Sequence, residues 1–284
     1  MREAAMPHIQ TRCEEAVGII TIDRREHFNS LDVETARDFR RAGLRFARDE
    51  AVRAVVLRGS GGVFCSGADL KYVRDGGDPS DLDYLQPEGG GEQAGHGAAF
   101  KQILEYLHSA ISEIRRAPKP FVAAVDGVAA AGGFGLAMCC DLVFASERSS
   151  FEWAYAKTGL TGAESSTFLL PRLVGMRRAM DMVLRNPRLD ARAALQAGLV
   201  NEVLPDEGFD AAVFEEARRL AEGPTQAFGV AKALINRAAG LDGLDVHLDT
   251  ELEHLTRIAD GPEFRAGLAS FFDRPRSGSG SGGD

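Results

Sequence analysis

Pro120-Phe-Val-Ala-Ala-Val-Asp-Gly-Val-Ala-Ala-Ala-Gly-Gly-Phe-Gly135 decides the fold. Its first six residues form an apolar run of strand length. The small residues that follow make a tight turn, and a helix runs on through Met138. The same order recurs on either side. Val17-Gly-Ile-Ile-Thr-Ile-Asp23 alternates as a strand should. Asn29 and Ser30 precede Leu31, with Asp32 and Glu34 in a first helical turn, which predicts a helix to about Asp49. Ala54–Arg58 is a short buried strand closed by Gly59-Ser-Gly-Gly62, and Leu142–Ala145 is another. Strands alternating with helices predict an α/β architecture. From Asp190 the pattern turns helical: Ala191–Ala197 stopping at Gly198, then Phe209–Ala221, Ala227–Ala239 and Leu244–Ala259. We therefore expect a core over residues 1–189, a C-terminal helical region over 190–275 and a flexible tail over 276–284. Between Asp75 and Gly97 neither period is present, and a connection of that length is expected to serve function or to lack fixed structure.

Composition narrows the function. The chain has 284 residues, enough for one sizeable core, with 44% hydrophobic and 26% charged residues. A net charge of −9 argues against nucleic acid as a partner, because phosphate backbones need a basic footprint. No apolar run reaches the roughly 18 residues of a membrane span, and the N-terminal residues lack the apolar centre of a secretory signal. We expect a cytoplasmic enzyme with no membrane partner. Cys13, Cys65, Cys139 and Cys140 have neither zinc-site nor redox-pair spacing, so we expect reduced thiols and no metal.

Two glycine-containing turns carry the candidate chemistry: Phe64-Cys-Ser-Gly-Ala-Asp-Leu70, and Asp126 to Gly135. Small residues admit close approach of a ligand, and N–H groups at a helix start favour an anion. Two such groups converging from separate loops would form an oxyanion hole. Glycine-rich turns also serve helix packing alone. A dinucleotide site is a poor fit, since GxGxxG is missing and no acid ends a second strand at the required offset.

Gly67-Ala-Asp-Leu70 after a strand, followed by Ala124 to Gly133, resembles the signature of the enoyl-CoA hydratase/isomerase, or crotonase, family. The similarity continues through Cys140-Asp-Leu142, Phe151, Gly159, Leu170-Pro-Arg-Leu-Val-Gly175 and Ala197-Gly-Leu-Val-Asn201, and covers roughly residues 8–275. The resemblance implies a spiral of stacked ββα units with a C-terminal helical region that makes homotrimers or dimers of trimers. It implies an acyl-CoA substrate, no cofactor beyond the coenzyme A moiety, and an oxyanion hole on the N–H groups of Ala68 and Gly132. Coenzyme A contacts are implied at Ser66, Asp69 and Leu70, with Arg25 and Lys71 as phosphate cations and Arg24 as a substitute. The resemblance also implies a basic or aromatic contact from the C-terminal helices of a neighbouring subunit, for which Lys232 and Phe271 are the candidates. Trp153 and Tyr155 would line an acyl pocket, or belong to the core.

The departures matter as much. Hydratases of this family carry two glutamates, and those positions hold Gly135 and Tyr155 here. A glycine moves no proton and a neutral phenol is a poor base at neutral pH, so ordinary hydration is not expected. Isomerases of the family place a catalytic aspartate in the turn Gly159-Leu-Thr-Gly-Ala-Glu-Ser-Ser-Thr167; counting forward puts it at Ala163, counting back at Glu164. Residues 151–159 and 173–180 also look like 4-chlorobenzoyl-CoA dehalogenases, whose histidine base aligns with His108 and whose nucleophilic aspartate falls on Ala163. The expectation is isomerisation or a related proton transfer, with Glu164 as the shuttle and His108 as a second acid/base candidate. Two alternatives stay open. One is hydration or hydrolysis by Glu164 or His108 with water, and the other is a catalytically silent CoA-binding homologue.

Overall fold

The computed structural model describes residues 6–78 and 95–273. In chain order the elements are β1 (Ile9–Glu14), β2 (Val17–Ile22), α1 (Val33–Arg48), β3 (Ala54–Gly59), α2 (Leu70–Arg74), α3 (His96–Arg116), β4 (Phe121–Val125), β5 (Val128–Ala130) and α4 (Gly132–Cys139). There follow β6 (Leu142–Ser146), β7 (Ser150–Glu152), α5 (Ser166–Val174), α6 (Met176–Arg185), β8 (Leu189–Asp190), α7 (Ala191–Ala197) and β9 (Glu202–Leu204). The C-terminal helices are α8 (Phe209–Glu222), α9 (Thr225–Ala238), α10 (Leu244–Ala259) and α11 (Pro262–Asp273).

The strands make two sheets. The larger has the order β1-β2-β3-β4-β6-β9, antiparallel between β1 and β2 and parallel elsewhere; the smaller has the order β5-β7-β8. This is the expected α/β spiral. Alternation decides which residues face which layer. Val17, Ile19, Ala54, Val56, Val122 and Ala124 meet Phe209, Val213, Ala217 and Ala221 of α8 on one face of the large sheet. Ile20, Ile22, Val55, Leu57, Phe121, Ala123 and Val125 point the other way, into the main core with α1 and α3. A sheet covered on both faces needs apolar residues at successive positions, which is why these strands read as near-continuous runs.

Local signals explain the boundaries. Asp32 caps α1, accepting from Thr35 N at 2.8 Å. Asn29, which the sequence places just outside the helix, takes a different part: its amide donates to the carbonyls of Ser60 and Val63 at 2.9 and 2.6 Å, tying the β2–α1 loop to the end of β3. Gly198 ends α7 in the left-handed region at φ 84°, as expected of a C-cap. The boundary drawn at 189/190 falls inside β8, and β9 joins the large sheet, so the C-terminal segment is woven into both sheets before it becomes wholly helical. Of the irregular stretch 75–97, residues 79–94 lie outside the described residues, as does the tail 276–284. Among the described residues no helix is long and apolar enough to cross a membrane.

Candidate active site

The two glycine turns meet. Cys65 N donates to Val128 O and Ala130 N to Cys65 O, both at 3.0 Å, stitching the end of the β3 loop to β5. Gly67 lies at φ +95°, and a Cβ there would fall 2.8 Å from the Ala131 methyl and 3.1 Å from Gly132 N. Only glycine permits that approach. Leu31 takes both neighbours of Ala68, donating to Gly67 O at 2.8 Å and accepting from Asp69 N at 2.9 Å. The Ala68 N–H between them has no acceptor among the described residues. Gly132 opens α4, so its N–H has no carbonyl one turn earlier in the helix. Just before it, Ala131 is held at φ 46°, ψ −117°, a strained conformation for a residue with a side chain. Ala68 and Gly132 both line one cavity of about 620 Å³. Phe100, Leu104, Leu160, Leu255, Phe271 and Phe272 supply much of its apolar wall.

Of the carboxyls lining that cavity, which include Glu26, Asp69 and Glu152, Glu164 is the one against the Gly132 turn. It precedes α5 in a turn of two consecutive left-handed residues, Glu164 at φ 50° and Ser165 at φ 61°, and is only 3% exposed. Its Oε1 lies 3.0 Å from the point where a Cβ on Gly132 would stand. Its Oε2 accepts the Tyr155 hydroxyl, and its backbone N–H donates to His108 Nε2 at 3.1 Å. Burial raises its pKa from 4.5 to about 8, while the Tyr155 hydrogen bond pulls the other way. Tyr155 stays a phenol, because burial and the adjacent carboxylate push its pKa well up. Ala163, the other place where the family aspartate could fall, is fully buried and offers only its carbonyl to the Tyr155 hydroxyl at 3.2 Å.

The remaining expected residues divide. Ser66, Asp69, Leu70 and Lys71 line the cavity. Asp69 is already engaged: it caps α2 through Lys71 N and Tyr72 N and pairs with Arg24 at 2.6 Å. Arg24 also pairs with Asp32 at 2.8 Å, so this guanidinium locks the loop together. Arg25 lies outside the cavity lining, with Nε on Asp23 and Ser60. His108 does not line the cavity either. It sits behind the Glu164 turn, where its Nε2 must be unprotonated to accept, and burial drives its pKa down to about 3. Trp153 packs against Tyr155 in a tilted ring contact with centroids 5.0 Å apart and is core, whereas Tyr155 reaches the cavity. Lys232 caps carbonyls of Ile114 and Lys119 and pairs with Asp141 within its own chain, and Phe271 reaches the cavity of its own chain.

Sequence reasoning missed Glu251. Its carboxylate, buried on α10, accepts from Ser165 N, Thr167 N and Thr167 Oγ1 at the start of α5. The signal was present: Leu244, Leu248, Glu251, Leu255 and Ala259 form the buried stripe of α10, and an acid on such a stripe requires partners.

Comparison with known proteins agrees with this geometry. The family model described as enoyl-CoA hydratase/isomerase matches residues 12–277. The chain is 33% identical to 4-chlorobenzoyl coenzyme A dehalogenase-2 of an Arthrobacter species, covering 93% of this chain and 90% of that protein. It is 30% identical to 1,2-epoxyphenylacetyl-CoA isomerase of Escherichia coli, covering 94% and 95%. Among solved structures, an enoyl-CoA hydratase from Mycobacterium avium subsp. paratuberculosis superimposes with a TM-score of 0.80 at 30% identity, over 97% of this chain and 99% of that one. A match over nearly the whole length, with the two N–H turns and the spiral fold in place, has one meaning: the chain belongs to the enoyl-CoA hydratase/isomerase family.

Proposed function

We propose that this protein isomerises an unsaturated acyl-CoA, or carries out a closely related proton transfer, with Glu164, the carboxyl beside the Gly132 turn, as the proton carrier. The observation behind this reading is the Glu164 carboxyl itself, buried beside the Gly132 turn with a pKa raised to about 8. A base is most effective when its pKa lies near the working pH. In the proposed reaction the thioester oxygen sits between the Ala68 and Gly132 N–H groups, which stabilise it as negative charge develops. Ionised Glu164 takes a proton from one carbon, the electron pair spreads into the enolate, and the carboxyl returns the proton to another carbon. Substrate and product then have the same composition, and no redox partner is needed. Ser66, Leu70 and Lys71 at the cavity mouth would bind the coenzyme A portion.

Hydration has less support. Gly135 and Tyr155 stand where hydratases of the family carry carboxylates, and neither can move a proton at neutral pH. A panel of enoyl-CoA thioesters in deuterated water tests the proposal. Isomerisation gives a product of unchanged composition apart from deuterium at carbon, and hydration adds the elements of water. Glu164→Gln should lower kcat at least about 10²-fold while KM changes little, as expected when a group acting only in the transition state is lost. A Gln variant as active as the parent would refute the assignment.

A further inference from the structure

The turn that carries Glu164 is held from outside itself. Ser165 stands at the N-cap position of α5 but makes no capping hydrogen bond with its own side chain. The cap comes from a residue 86 positions away. Glu251 Oε2 accepts Ser165 N at 2.9 Å, and Oε1 accepts Thr167 N at 2.9 Å and Thr167 Oγ1 at 2.5 Å. On the other side of the turn, Glu164 N donates to His108 Nε2 of α3. Two successive left-handed residues with side chains persist only where their surroundings over-determine them. Here the surroundings are these side chains from α3 and α10. The carboxylate is 5% exposed, so the α10 stripe gives up an aliphatic position for it.

We infer that Glu251 is a positioning residue for Glu164, fixing from α10 where the Glu164 carboxyl stands against the Gly132 turn and placing a negative charge behind it. The inference rests on the reading of Glu164 as proton carrier. Glu251 touches neither the cavity nor, by the geometry above, the substrate. The titratable groups facing it are His108 from α3, with Nε2 at 3.9 Å, His247 one turn earlier on α10, with Nε2 at 3.7 Å, and Glu164 and Tyr155 across the turn. The nearby charge of Glu251 adds to the effect of burial in raising the proton affinity of Glu164. Removing that charge should therefore make Glu164 easier to ionise, while removing the hydrogen bonds should misplace it.

Two variants separate these effects. Glu251→Gln keeps the volume but loses the charge and one acceptor; Glu251→Asp keeps the charge but pulls it back by one methylene. The primary readout needs no substrate: carbon-13 NMR titration of glutamate carboxyls in the full chain, with the Glu164 signal identified by its loss in Glu164→Gln. The wild-type midpoint should lie near 8, and Glu251→Gln should move it to lower pH. In turnover of an enoyl-CoA, both variants should lose at least about tenfold in kcat with KM within about threefold, and the pH limb of Glu251→Gln should follow the NMR midpoint. A folded Glu251→Gln protein with an unmoved midpoint overturns the inference. Should Gln not fold, Asp decides: kcat within twofold of wild type, or an unchanged Glu164 signal where no turnover is measurable, overturns it. If Glu164→Gln itself keeps full activity, the functional reading fails, and the NMR midpoint still reports whether Glu251 governs that carboxyl.

Discussion

A methyl group on Gly135 would stand 2.5 Å from the Glu164 carbonyl oxygen and 2.7 Å from the Glu164 Cβ. At the position where the resemblance implies a hydratase carboxylate, the Glu164 turn fills the space that a side chain would need. A side chain on Gly135 would require the Glu164 turn to shift. Gly135→Ala should accordingly lose roughly 1–3 kcal/mol of stability through overpacking and displace the Glu164 turn. We expect at least a tenfold fall in kcat, measured alongside denaturant unfolding; an alanine variant of unchanged activity and stability would show that the turn has slack. Nothing in the sequence states this exclusion, because Gly135 and Glu164 are 29 positions apart and their contact exists only once α4 and α5 pack. Glu164 itself was legible as a candidate through the family pattern, within one residue of ambiguity; of the two positions, Glu164 lines the cavity and Ala163 does not. His108 was legible as a polar residue on a helix, but its direction was not, since a helix face alone does not say which side of a turn it will meet.

Among the elements, length set what could be read. Strands of five or six residues and helices with an apolar stripe carry enough repeats to reveal their period. The three strands of the small sheet have three, three and two residues, too few for a period of two to show. The edge strand β1 is also weakly marked, because only Ile9 of its six residues is buried. The turns joining these elements matter more to the chemistry than the elements do. The turn between β3 and α2 and the turn between β5 and α4 touch at Gly67 and Ala131, and that contact sets the separation of the Ala68 and Gly132 N–H groups. Gly67→Ala would put a Cβ 2.8 Å from the Ala131 methyl in a backbone conformation unfavourable to alanine. The turns must part, and the Ala68 donor moves out of register. Loss of one oxyanion donor costs about 10²–10³ in kcat. We expect a fall of that size for an enoyl-CoA substrate, with coenzyme A thioester affinity by calorimetry changed far less; parallel loss of both would mean that the turn serves binding rather than the developing charge.

For the molecule as a whole, the buried site leaves a mark on stability against pH. Glu164 has a folded pKa of about 8 against 4.5 for the free side chain, so between those values the folded chain holds a proton that the unfolded chain has released. Its contribution is fully present below pH 4.5 and is lost as pH rises through 8. His108 acts in the opposite sense: its folded pKa of about 3 against 6.5 means that unfolding takes up a proton, and stability is lost as pH falls from 6.5 towards 3. The two oppose each other between 4.5 and 6.5. Above 6.5 the histidine is neutral in both states and the glutamate acts without it. Buried Cys65, raised from 9.0 to about 12, adds its own loss only further into alkali. Glu251, also raised by burial, contributes in the same direction as Glu164 but is common to wild type and a Glu164 variant. Subtracting one from the other leaves the Glu164 contribution together with its charge coupling to Glu251, burial being the larger cause of the Glu164 shift. Gln at this position can still accept the Tyr155 hydroxyl through its amide oxygen, so the packing partner is kept. The melting temperature of Glu164→Gln relative to wild type should rise steadily from pH 4.5 to 8 and stay level on either side, as calorimetric melts at intervals of half a pH unit would show. A difference that is flat from pH 5 to 9 would mean the carboxyl ionises as readily inside the protein as outside, and the physical basis for its role as proton carrier would be gone.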